Sequence, residues 1–318
     1  MSERIATCGV LLGLFLASPV PAQDDREAIQ DAISTIRSRK GSFKADSNNR
    51  VIAVNLQSCS ISEDDLETIA ALHFVEDLNL RAAGSGVTTA GLQQLKAMPQ
   101  LKRLNLMFCR QFRSASLQPL ADLKSLEAIN LSHIETRDEN LVHLKGLTKL
   151  RELDLTWSET KSLDSLKDLT NLEVLVLHQV KTIDDEDARI LTSMTKLRRL
   201  DLAETQITAA TLPLLAEMKD LEFLDFTCGR FDRDSSVTGA VVTAAQDQVG
   251  TRISPDGPYN GVTVEVLQKN LGGLKNLRSL RLNWNKFKLA EQRALSRAFP
   301  QTTIEFSGGK ISPNAPSR

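Results

Sequence analysis

Four histidines, four cysteines and a set of evenly spaced carboxylates are the side chains of this 318-residue sequence that could do chemistry. His73, His133, His143 and His178 form no His-x-x-x-His pair, and Cys8, Cys59, Cys109 and Cys228 form no Cys-x-x-Cys pair, so no metal site is expected. Asp201 and Asp225 fall one sequence period apart and invite an acid–base reading. No nucleophile or enclosing pocket accompanies them, so the expectation is a non-enzymatic protein with no catalytic residue and no cofactor. Lys and Arg number 39 against 40 Asp and Glu, a net charge of −1. A nucleic-acid binder would show a basic excess, so nucleic acid is not the expected partner.

The elements that must position these residues are written in a repeat. Leu-x-x-Leu-x-Leu recurs as Val51-Ile-Ala-Val54-Asn-Leu56, Val75-Glu-Asp-Leu78-Asn-Leu80 and Leu101-Lys-Arg-Leu104-Asn-Leu106. Further copies open at Leu126, Leu150, Leu172, Leu197, Leu221 and Leu277, with a degenerate last copy, Gln301-Thr-Thr-Ile304-Glu-Phe306. Start-to-start intervals are 24, 26, 25, 24, 22, 25, 24, 56 and 24 residues. A fixed period of this length means a solenoid. In Leu197-Arg-Arg-Leu200-Asp-Leu202, alternation places Leu200 and Leu202 on one strand face and Arg199 and Asp201 on the other. Leu212, Leu215 and Met218 follow at three-residue steps, as on a helix facing the sheet. One unit cannot bury its own apolar face, so units must stack, with parallel strands lining a concave surface and helices a convex one. Aliphatic stacking also explains how a chain only 4% aromatic fills its core.

Outside the repeats, residues 1–22 read as a secretory signal cleaved before Gln23, with an uncleaved anchor as the alternative. The apolar run Ile5–Ala17 reaches about 20 Å as a helix, too short to span a bilayer, so no membrane span is expected in the mature protein. Residues 23–50, with Ile29, Ile33 and Ile36 on one side of a helix, read as an N-terminal cap; 51–306 as ten repeat strands; 307–318 as a flexible tail. The 56-residue interval carries an insert at about 232–261, which holds Tyr259, the only tyrosine. Cys59 and Cys109 each lie three residues past a strand Leu, in the buried turn leaving the strand. They are two strands, about 10 Å, apart, beyond disulfide reach, and read as free thiols.

Units such as Leu197-Arg-Arg-Leu-Asp-Leu-Ala-Glu-Thr-Gln-Ile207-Thr-Ala-Ala-Thr-Leu212 resemble the ribonuclease-inhibitor-like and cysteine-containing leucine-rich repeats. Signal, short cap helix and repeats together are similar to exported bacterial leucine-rich repeat proteins. The resemblance covers residues 25–306 and implies an α/β horseshoe that binds another macromolecule. Cysteine-containing repeats also occur in ubiquitin-ligase adaptors, but no helical F-box region precedes the repeats here, so that alternative is remote.

The middle concave row reads Asn55, Asn79, Asn105, Asn130, Asp154, Val176, Asp201, Asp225, Arg281, Glu305, and its four Asn could hydrogen-bond along the sheet. Beside it run Asp77, Arg103, Glu152, Arg199 and Phe223 on one side, and Arg81, Met107, Thr156 and His178 on the other. Phe108, His133, Trp157 and Trp284 lie just beyond. Aromatics with Arg on a polar surface are the material of interface hot spots. The expected partner contacts are Arg103, Phe108, Trp157, His178, Arg199, Asp201, Phe223, Asp225 and Tyr259. The partner is expected to be a protein or peptide, and the compartment periplasmic, cell-envelope or extracellular. The alternative is an adhesive envelope module for glycan or surface polymer, which exposed tryptophans would favour.

Overall fold

Each repeat contributes a strand of three to five residues, because only its alternating Leu-x-Leu core has an inner and an outer face to separate. The computed structural model describes residues 23–109, 116–227, 262–282, 287–306 and 309–312. The signal segment, Cys228, the 232–261 insert with Tyr259, and Trp284 lie outside them. Ten repeat strands run parallel in chain order: β2 (Val51–Asn55), β3 (Asp77–Asn79), β4 (Arg103–Asn105), β5 (Ala128–Asn130), β6 (Glu152–Asp154), β7 (Val174–Val176), β8 (Arg199–Asp201), β9 (Phe223–Asp225), β10 (Ser279–Leu282) and β11 (Thr303–Phe306). The register pairs equivalent residues throughout, and β9 pairs directly with β10, so the insert does not interrupt the sheet.

The sheet has twelve strands, two more than the repeats supply. β1 (Ser42–Ala45) adds antiparallel to β2, and β12 (Gly309–Ile311) antiparallel to β11. An exposed edge strand is a template for further pairing, and each end of the solenoid covers its own edge in this way. This corrects two expectations: the N-terminal cap is a helix plus a strand, and the stretch expected to be a loose tail from residue 307 includes an ordered strand. Helix α1 (Gln23–Ser38) buries Ala32 and Ile36 against the first repeat. The chain then reverses at Gly41, where an added Cβ would sit 2.7 Å from Leu56 and 3.0 Å from the Asn55 carbonyl. Arg39, just past α1, grips Asp65 of α2 (Glu63–Ile69) through two nitrogens at 3.0 and 3.1 Å. Asp65 closes a capping box with Ser62, so this one carboxylate starts α2 and fastens the cap.

The convex side differs from the helices the spacing implied. Beyond α2 and α3 (Thr89–Gln94) it is built largely of 3-10 turns, at Gln118–Asp122, Asp164–Leu166, Asp187–Ser193 and Ala209–Thr211. Between them stand single helical turns, α4 (Asp138–Leu141) and α5 (Leu212–Leu215). Apolar residues at strict three-residue steps match three residues per turn better than 3.6. Longer helices return at α6 (Val264–Leu271) and α7 (Leu289–Ala298). Between the layers runs an aliphatic core in which Leu78, Leu153, Leu175, Leu200 and Leu224 are equivalent and buried. Each contributes roughly 1.5–3 kcal/mol by burial.

Cys59 and Cys109 are free and buried, and the Cys109 thiol donates to the Leu80 carbonyl at 3.1 Å. Burial pushes that thiol's pKa up to about 11, leaving it protonated and inert.

Candidate functional site: the concave face

The middle concave row spends its side chains on the backbone. The Oδ1 of Asn55, Asn79, Asn105, Asn130, Asp154, Asp201 and Asp225 accepts the amide hydrogen two residues on, at 2.9–3.1 Å. These are Asx turns, repeated strand after strand. Among the described residues a single side-chain amide donates along the row, Asn130 Nδ2 to Asp154 Oδ2 at 3.1 Å, so the expected amide ladder is mostly a set of turn caps. Val176 is the exception, with no acceptor to offer.

Three residues past the middle-row position, the chain enters the left-handed region in every one of these repeats, after Val176 as well as after the capped turns. Ser58, Ala82, Phe108, His133, Trp157, Gln179 and Glu204 all have φ between 51° and 63°. Their amides continue the sheet, bonding the neighbouring repeat's carbonyl, as in Trp157 to His178 at 3.0 Å. An L residue in this region carries a conformational cost, which the repeated hydrogen bonds offset. The side chains of this row therefore stack as well. Phe108 lies on His133 with centroids 4.2 Å apart, and His133 on Trp157 at 5.8 Å. Arg81 sits over Phe108 and Lys181 over Trp157, each at 5.8 Å. Trp157 is 49% exposed, yet the ring faces that a sugar would stack on are turned toward neighbours in the ladder.

The structure brings five expected contacts together on β7–β9. Arg199 stacks on Phe223 at 3.9 Å, and Arg281 from β10 lies over the same ring at 5.0 Å. Beneath them, Asp201 and Asp225 are only 7% and 5% exposed. Both expected contacts therefore lie beneath the surface of the concave face. His178 Nδ1 approaches Asp201 at 3.8 Å, and Arg281 reaches Asp225 at 3.5 Å and Glu305 at 2.6 Å. Burial, and then the neighbouring Asp225 carboxylate, push the Asp201 pKa above the usual carboxylate range. Arg103 stands apart on β4, paired with Asp77 at 3.0 Å. Between these regions the concave face dips over β3–β7 into a depression of about 350 Å³ floored in part by Ala128, Val174 and Val176.

Two features of this face escaped the sequence reading. The left-handed row was legible only as the position two residues past each strand Leu, where residue type varies freely. From the second repeat to the ninth, the second position reads Glu76, Lys102, Glu127, Arg151, Glu173, Arg198, Glu222, Arg278, alternating in sign. It zips the strand starts through Lys102–Glu76 at 3.0 Å, Arg151–Glu173 at 2.7 Å and Arg198–Glu222 at 2.5 Å. Stacking the repeats by eye would have revealed it. Among the described residues no group of three His, Cys, Asp or Glu side chains is placed to hold a metal ion.

No protein-family model matches the chain. The CD180 antigen of Mus musculus is 27% identical over 181 residues, 52% of this chain and 27% of that protein. The CD180 antigen of Homo sapiens is 29% identical over 137 residues, 41% of this chain and 20% of that protein. The chain thus matches about a quarter or less of the length of these curated relatives. Among solved structures, an internalin of Listeria monocytogenes superposes with a TM-score of 0.50 at 18% identity, covering 91% of this chain and 92% of that one. That likeness concerns the fold, and it agrees with the repeat and the sheet: the chain folds as an α/β leucine-rich repeat solenoid, a curved horseshoe of parallel strands.

Proposed function

We propose that this chain is an exported, non-enzymatic binding protein that takes a protein or peptide partner on its concave face. The observation that carries the reading is the contrast between the two ends of the same strands. At the strand starts, acids and bases alternate and satisfy one another. Across the concave face, Phe223, Arg199 and His178 present an aromatic and cationic cluster beside an open depression with an apolar floor. Rigid aromatic and Arg anchors beside a dip are what interfaces use for most of their energy. Export rests on the signal-like residues 1–22; among the described residues no helix is long and apolar enough to cross a membrane. The 232–261 insert, including Tyr259, is proposed as a secondary contact.

The test is affinity capture on the immobilised full chain, wild type against Arg199→Glu/Phe223→Ala, with thermal unfolding checked in parallel. Both side chains are partly exposed, so the variant is expected to fold and to lose its partner. A variant that captures the same partner equally well would sink the concave-face reading.

A further inference from the structure

The charges on the concave face are not evenly satisfied. Asp77 has Arg103 at 3.0 Å, Asp201 has His178 at 3.8 Å, and Asp225 and Glu305 share Arg281 at 3.5 and 2.6 Å. Glu152 and Asp154 on β6 differ. Asp154 accepts only the Thr156 amide and the Asn130 side-chain amide. Among the described residues no Lys, Arg or His comes within 4.0 Å of either carboxylate. Arg199 on β8 is the complementary case: its guanidinium lies over the Phe223 ring at 3.9 Å, and no described carboxylate lies within 4.0 Å of it. Arg81, likewise without an ion pair, lies three strands from β6, over Phe108.

Neither group has an ion pair: Arg103 acts on Glu152, and Asp201 on Arg199, only from beyond 4.0 Å. Between Glu152/Asp154 and Arg199 lies β7, whose two concave side chains are Val174 and Val176. The register sets Glu152 opposite Val174 and Val174 opposite Arg199. Three adjacent strands therefore present an anion, an apolar step and a cation in one line. At strand spacing the two ends are about 10 Å apart.

We infer that this line, Glu152/Asp154, Val174/Val176 and Arg199, is a bipolar slot for an extended peptide segment. That segment carries a basic residue and, three positions away, an acidic residue, with an apolar residue between. In a polyproline II conformation, residues i and i+3 point the same way and lie about 9 Å apart, which matches the slot. The occupant's cation meets the Glu152/Asp154 carboxylates, its anion meets the Arg199 guanidinium, and the apolar residue lies on the valines. Each half alone would be a generic charged surface; the fixed separation makes the pair selective for spacing and for direction. This deepens the proposed concave-face reading and rests on it.

The test is selection of a random ten-residue displayed peptide library on the wild-type full chain and on Glu152→Lys/Arg199→Glu, with Val176→Arg as a separate block of the slot. Wild type is expected to enrich basic-x-x-acidic peptides, and the charge-exchanged variant the reverse polarity. The best wild-type peptide, resynthesised, should bind at least about tenfold more weakly to Arg199→Glu and recover on the double variant when its own charges are exchanged. Thermal unfolding of each variant controls for folding, with Glu152→Gln and Arg199→Gln as milder substitutes. Enrichment of peptides that lack the pattern but are still lost on Val176→Arg overturns the slot and leaves concave binding standing. Absence of any peptide sensitive to Val176→Arg overturns the slot, while capture on Arg199→Glu/Phe223→Ala decides the concave-face reading separately.

Discussion

The first and second halves of the concave face use one backbone device for different ends. On β2–β5 the middle row is Asn, and each amide caps its own turn without adding charge. On β6, β8 and β9 it is Asp, which makes the same hydrogen bond and also brings a charge into a partly buried row. On β7 it is Val176, which makes no such bond. The cap needs an acceptor and no charge, so carboxylates in the second half exceed what the fold requires. The first half therefore caps its turns without charge, whereas the second adds carboxylates, of which Asp225 pairs with Arg281 and Asp154 has no ion pair among the described residues.

The comparison supposes that both halves share one core and differ only on the surface, and the largest effect tests that supposition. Leu78 and Leu200 are equivalent and buried, so Leu78→Asp and Leu200→Asp should each cost more than about 4 kcal/mol and abolish cooperative unfolding alike, by circular dichroism. If either variant keeps the wild-type transition, the halves do not share a core.

A smaller effect separates the regions by the sign of their pH dependence. Burial acts to raise the pKa of Asp65, beside the cap, but hydrogen bonds from Ser62 and Arg39 outweigh it and leave the pKa lowered. Its contribution is present above the ordinary carboxylate value and is lost as pH falls through the lower folded value. Asp65→Asn should therefore cost about 1–2 kcal/mol at pH 7 and progressively less in acid. Asp201 has the opposite sign. Its raised folded pKa means that its ionised form weakens the fold above that value, and the penalty disappears as pH falls below the ordinary range. Asp201→Asn keeps the turn cap, so it should stabilise by up to about 1 kcal/mol at pH 7 and by nothing near pH 3. Thermal unfolding of both variants from pH 3 to 8 measures this, and parallel curves would break the comparison.

The smallest effect belongs to the strand starts. Glu76 and Lys102 are both partly exposed, so Glu76→Gln should cost less than about 0.5 kcal/mol, a loss that vanishes in 1 M salt by chemical denaturation.

Much of this was legible in the sequence. The concave rows of the structure are the rows that the repeat period implies, since a parallel register pairs equivalent positions. Arg199, Phe223 and His178 were legible as surface candidates because alternation alone puts them on the outer face. Alternation gives direction and says nothing of cover: it points Asp201 and Asp225 to the same face, where the structure buries both, with His178 3.8 Å from Asp201 and Arg281 3.5 Å from Asp225. The 3-10 turns were masked by a three-residue spacing that an α-helix tolerates over one or two turns.

Taken by itself, the sequence determined the solenoid, the order and register of its repeat strands, and the aliphatic core, because each follows from a local period that every repeat restates. Tertiary structure alone decided which charges are compensated. Ion pairing depends on side-chain reach between strands, and on one face it satisfies Asp225 through Arg281 yet leaves Glu152, Asp154 and Arg199 without an ion pair among the described residues, across two valines.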